Sequence, residues 1–140
     1  MTKTFCVFNR NRESFLGLRV TRADTVLSRL KGLLGRMRLE PDEGIWLIPS
    51  HGIHTIGMMF AIDVVYLNAG NRVIHLIEHL GPFRISPIRI KCASILEFRP
   101  RAIFSSHTRI GDELVICAPD EMQYHLEHRG TQRIRGKSGE

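Results

Sequence analysis

Hydrophobic and polar positions along this chain fall mostly into short apolar runs separated by polar turns, broken by one helical stripe and a polar tail. Residues 3–8 are rich in β-branched and aromatic types and predict a strand. A second strand is predicted over 15–21 (FLGLRVT), after the polar turn NRNRES. From Asp24 the spacing changes. Val26, Leu27, Leu30, Leu33, Leu34 and Met37 recur in steps of three and four, which predicts a helix over about 24–36. Asp24 suits its N-cap, while Arg36 and Arg38 suit its other end. Gly32 and Gly35 weaken it by roughly 1 kcal/mol each relative to alanine, which close packing on a sheet can tolerate.

β signals then dominate. GIWLI (44–48) predicts a short buried strand, and the stretch 61–80 predicts a hairpin. Its turn is NAGN, where asparagine and glycine take positive φ readily. GPFRISP reads as a loop, CASILEF (92–98) as a strand ending before Pro100, and residues 113–117 as a strand entered through a Gly-Asp turn. The pattern therefore predicts a mainly β domain over 1–118. Its expected architecture is a sandwich-like or partly closed barrel of about seven or eight short strands with one packed α-helix. The segment 119–140 reads as a tail: a short helical turn with Met122, His125 and Leu126 on one side, then a disordered stretch.

Composition narrows the class. A chain of 140 residues has room for one core, and with 7% aromatic residues that core is mainly aliphatic. No apolar run approaches the roughly 20 residues of a membrane-spanning helix. The short apolar patch near the N-terminus is flanked by charge, so the expected location is the cytoplasm. The three cysteines, Cys6, Cys92 and Cys117, are far apart and lack a CxxC spacing, which argues against a disulfide framework or a thiolate zinc site. The net charge of +6 is uneven. Basic residues outnumber acidic ones nine to three over 1–40 and six to three over 84–118, whereas 41–83 holds only Arg72 against four acids. Such a surface attracts nucleic acid, acidic lipid or an acidic partner, or simply keeps the chain soluble.

Candidate chemistry concentrates in PSHGIHTIGMMFAIDVVYL (49–67). A metal reading starts from His51 and His54, with Met58, Met59 and Asp63 nearby, since imidazole with thioether suits Cu(I) and imidazole with carboxylate suits Zn(II). Residues three apart on a strand face opposite sides, so both histidines meet one ion only if HGIHT is a loop. An enzyme reading takes His54 as general base with Asp63 or Glu97 orienting it. Ser50, Thr55, Ser94 and Cys92 are then the available nucleophiles, none in a recognisable activated setting. A structural reading lets Asp63 accept backbone N–H groups or pair with a buried arginine, gives Thr55 similar work, and makes the methionines core filler. Glu97 lies inside the apolar ILEF; if buried it calls for a cation beside it.

The order of RLKGLLGR (29–36), EGIWL (43–47), HTIGMMFAIDVVYL (54–67), NRVIHL (71–76), SILEF (94–98) and RIGDELV (109–115) resembles the family known as domain of unknown function 192, over about Arg22 to Ile116. The commoner branch of that family has a Trp-Met-Lys-Asn-Thr run followed by Pro-Leu-Asp. Here His54, Thr55, Ile56, Gly57 and Met58 stand in that region, and Asp63 follows Ala61 and Ile62, which resembles a His-Thr-x-x-Met branch. Roles of the tryptophan or lysine therefore do not transfer. The resemblance implies a mainly β domain with a compact polar spot and no established activity.

Together these readings favour non-catalytic binding of a small polar or anionic ligand, or of a macromolecular partner. The expected site comprises His51, His54, Thr55, Met58, Asp63, Glu97 and Asp112 in one hollow, with no metal and no cofactor. The alternatives are a metal-dependent or His/Asp-assisted hydrolase, and a basic accessory protein docking on nucleic acid or an acidic membrane through residues 1–40 and 84–109.

Overall fold

Asn68 and Asn71 set the reversal within the predicted hairpin. The Asn68 side-chain oxygen accepts the Gly70 and Arg72 amides, Asn71 adopts a positive φ of 58°, and the backbone reverses. The strands on either side are the predicted hairpin. The computed structural model describes residues 3–24 and 38–137, with side chains to residue 128. In chain order the elements are β1 (Thr4–Asn9), β2 (Ser14–Ala23), β3 (Glu43–Leu47), β4 (Ile62–Leu67), β5 (Val73–Leu80), β6 (Ser94–Phe98), α1 (Ala102–Ser106), β7 (Leu114–Cys117) and α2 (Pro119–Lys137). The helix predicted at 24–36 falls, beyond Asp24, outside the described residues.

The strands form one curled sheet of seven, ordered β5-β4-β6-β3-β2-β1-β7. All neighbours are antiparallel except β2 and β3, which run parallel with Arg19 opposite Glu43 and Ala23 opposite Leu47. The curl brings the two edge strands together at one end. Val73 donates to the Asp112 carbonyl (2.8 Å), Gly111 to the Val73 carbonyl (2.8 Å) and Leu114 to the Asn71 carbonyl (2.9 Å). The expected partly closed, mainly β architecture is thus what forms.

Alternation gives the sheet two apolar faces. One carries Val20, Trp46, Val65, Leu96 and Phe98 and is packed by Ala102 and Ile103 of α1. The Phe98 ring lies so close over β3 that a Cβ on Gly44 would sit 2.6 Å from it, which accounts for glycine there. The other face carries Ile45, Leu47, Ile62, Val64, Tyr66 and Ile95, joined by Met58 and Cys92 from loops.

Helix α1 is an addition to the expected elements. It is one turn long, preceded by Arg101 at φ 76° and closed by His107 at φ 57°, too short for a helical stripe to register. Helix α2 also extends further than the turn or two its apolar residues predict. Met122 anchors it against Cys6, Phe8 and Cys117, and Asp120 and Glu121 in its first turn suit the positive helix end.

Candidate functional site

Two long connections, residues 49–61 before β4 and 81–93 before β6, meet along one side of the domain. The Thr55 amide donates to the Arg84 carbonyl (2.8 Å), and Ser86 donates to the Ile53 carbonyl (2.9 Å). Farther along, Arg89 donates to the His51 carbonyl (2.9 Å). Side chains reinforce this irregular ladder. Thr55 Oγ1 donates to the Gly81 carbonyl (2.6 Å) and accepts the Arg84 amide (2.8 Å), while Ser86 Oγ accepts the Ile53 amide (2.8 Å). Tyr66 Oη, rising from β4, lies 2.5 Å from Ser86 Oγ and 2.7 Å from the Pro87 carbonyl. A pair of loops held this way is a firm platform rather than a floppy connection.

Thr55 is therefore a clasp, buried and fully engaged. Thr55→Val keeps the shape and removes the hydroxyl, leaving the partly buried Arg84 amide without its side-chain acceptor and the Gly81 carbonyl without its donor. The expected loss is about 1–3 kcal/mol of unfolding free energy, with faster amide exchange confined to 81–86. Equal stability and unchanged exchange would show that the backbone ladder alone holds the loops.

The remaining expected site residues do not converge. His51 and His54 are both exposed. His51 Nδ1 lies 2.6 Å from the Cys92 carbonyl, to which it donates. His54 forms an isolated bridge with Ile85. Met58 is core, packed in the second apolar face. Asp63 pairs with Phe98 across β4 and β6, and Val64 pairs with Glu97, which places the two carboxyl side chains on opposite faces of the sheet. Asp63 is engaged by backbone amides: Oδ1 accepts the His79 amide (2.9 Å) and Oδ2 the Ile103 amide (3.0 Å). It fastens the bulged end of β5, where His79 takes φ 56°, to the start of α1.

Asp112 belongs to a separate buried network. Its Oδ2 accepts Asn9 Nδ2 (2.9 Å), the Arg109 amide (2.9 Å) and Arg12 Nε (3.1 Å). Asn9 Nδ2 also lies 3.1 Å from Thr108 Oγ1. Burial alone would raise this carboxyl, but Asn9, the Arg109 amide and the Arg12 guanidinium outweigh it and hold the group below the ordinary carboxylate value.

Glu97 is the anomaly. It sits in the middle of a central strand, 7% exposed, between Ile45 of β3 and Val64 of β4. No cation or hydrogen-bond donor faces it among the described residues. Desolvation raises the carboxyl from 4.5 to about 7, which favours its protonated form inside the sheet. Among the described residues no three His, Cys, Asp or Glu side chains gather closely enough to hold a metal ion.

The loop platform carries what the sequence pattern did not disclose. Phe83, Ile85, Ile88 and Ile90 all point outward, the last two 74% and 90% exposed, and Ile56 and Met59 are exposed on the adjoining loop. Arg84, Arg89 and Lys91 stand between and beside them, exposed and without a carboxylate partner among the described residues. The signal was present as apolar residues alternating with cations over 83–91, which reads equally well as an edge strand.

A family model matches residues 7–116 and carries the description DUF192, Uncharacterized ACR. The chain belongs to the DUF192 family. No curated protein sequence matches it. Among solved structures it is similar to a protein of unknown function from Novosphingobium aromaticivorans, with TM-score 0.69 and 18% identity over 79% of this chain and 82% of that one. It is also similar to a Sinorhizobium meliloti protein suggested to be a transcription regulator, with TM-score 0.67 and 17% identity over 83% and 94% of the two chains. At that identity the likeness establishes a shared fold. This DUF192 domain has no helix among its described residues long and apolar enough to cross a membrane.

Proposed function

We propose that this DUF192 domain is a non-catalytic binding module, its working part the β domain over 1–118. It engages a macromolecular partner at the corner bearing His54, with Thr55 and Asp63 as supports beneath the surface rather than as ligands. The observation that carries this reading is the exposed apolar and cationic row Phe83 to Lys91 on a hydrogen-bonded platform. Isolated exposed apolar residues are ordinary, but a run of them on a firm surface marks an interaction site. The use of both Asp63 oxygens on backbone amides argues in the same direction, since it gives this carboxylate a structural task rather than that of orienting a His54 base.

Three immobilised anionic probes test it: phosphatidylglycerol vesicles, polyglutamate and duplex DNA, the last prompted by the regulator suggested for the S. meliloti neighbour. The folded protein is expected to be retained by at least one. The double variant Ile88→Ser/Ile90→Ser is expected to lose that retention while its Tm stays within about 2 °C of the parent, because both side chains are exposed. No retention on any probe, or retention that the variant leaves intact, overturns the reading.

A further inference from the structure

From the chemistry of the 83–91 row, and resting on the binding reading above, we infer that the partner is the surface of an anionic lipid membrane. The arrangement of charge along the row decides this. Arg84 lies between Phe83 and Ile85, Arg89 lies between Ile88 and Ile90, and Lys91 follows. A protein interface gathers apolar groups at its centre and leaves charge to the rim, whereas here the two alternate residue by residue. Nucleic acid is met by cations with polar or stacking neighbours; four apolar tips set beside phosphates would stay wet. A second copy of the chain is disfavoured, because a twofold contact would set Arg84, Arg89 and Lys91 against the same three cations. An anionic bilayer satisfies both halves of the pattern. The isoleucine and phenylalanine tips enter the boundary between headgroup and acyl chain, and the guanidinium and ammonium groups stop at the phosphates.

Platform and tips have separate tasks in this arrangement. Thr55, Ser86 and Tyr66 hold the row firm through the hydrogen bonds already described, so little ordering is needed when the tips insert. Met59 and Ile56 on the neighbouring loop are exposed as well and widen the apolar contact.

Co-sedimentation of the full chain with vesicles tests this directly. Vesicles of mixed phosphatidylglycerol and phosphatidylcholine are expected to bind the protein, and pure phosphatidylcholine vesicles to bind it far less. Raising the salt from ~0.05 to ~0.5 M should weaken the binding. Arg89→Ser/Lys91→Ser is expected to lose about thirtyfold in affinity for the anionic vesicles, and Ile88→Ser/Ile90→Ser at least about tenfold for the same vesicles, both at unchanged Tm. Retention on polyglutamate or duplex DNA without vesicle binding overturns the lipid assignment and leaves the binding reading standing. Failure with all three probes removes both. Vesicle binding that neither double variant weakens also overturns the assignment, because the lipid contact would then lie elsewhere.

Discussion

Glu97→Gln is expected to stabilise the protein by about 3 kcal/mol at pH ~8 and to leave it nearly unchanged at pH ~4. The reason is the proton held in the sheet. In the folded chain the Glu97 carboxyl keeps it up to about pH 7, whereas the ordinary value is 4.5. Between those two values the folded state binds more protons than the unfolded state, so stability falls as pH rises across the interval. Below 4.5 both states are protonated and nothing is lost; above about 7 the loss is complete. Glutamine has the same shape and never ionises, so the difference between variant and parent should open across that interval and then level off. Glu97→Met should be more stable than the parent at both ends, since it also removes a polar group from an apolar face. Denaturant melts of the three proteins across the pH range measure this. Parallel pH profiles for parent and Glu97→Gln would mean that the carboxylate has an ionised partner, and would sink the account.

Removing the Asp63 carboxylate is expected to have the opposite sign and a larger size. Asp63→Ala leaves the buried Ile103 amide and the partly buried His79 amide without an acceptor. The expected loss is about 3–5 kcal/mol, a fall in Tm of roughly 10–20 °C. Asp63→Asn keeps one acceptor but turns an NH2 group towards the other donor, so about 2–3 kcal/mol is expected. Amide exchange should accelerate at His79 and Ile103 in both variants, because these two contacts fasten β5 to α1. A loss below about 1 kcal/mol in Asp63→Ala, with exchange unchanged, would show that Asp63 is not the clasp described.

Asp63 and Glu97 also mark how far the sequence could be read. Each carboxylate inside an apolar strand stands out. The use of Asp63 as an acceptor of backbone N–H groups follows from its place beside an irregular strand end. The hairpin over 61–80 was legible because alternation and the asparagine-glycine turn are local signals. The common hollow was not legible. It required that residues from different strands share a face, and that depends on register, which the pattern of one strand does not fix. A one-residue offset between Asp63 and Glu97 relative to β6 is enough to separate them. The parallel pairing of β2 with β3 is likewise non-local. For Glu97 the sequence calls for a cation if the group is buried, and the helix arginines that could supply one lie outside the described residues. The exposed row at 83–91 was hidden for a different reason: a loop has no fixed period to say which of its apolar residues are covered, and only the fold shows Ile88 and Ile90 exposed.

The position of β1 in the sheet bears on how the chain matures. Of the seven strands, β1 comes before the others in the chain, yet it is an inner one, between β2 and β7. On the ribosome it can join β2 at once, but the row of backbone groups meant for Leu114–Cys117 stays open until nearly the whole domain has emerged. Phe8 and Cys6, whose side chains are later covered with Met122, wait uncovered for the same time. An open strand edge beside uncovered apolar groups is what chaperones bind and what nascent chains stick together by. The domain is thus most vulnerable between the emergence of β1 and that of β7 and the start of α2, which together cover this edge and its apolar side chains.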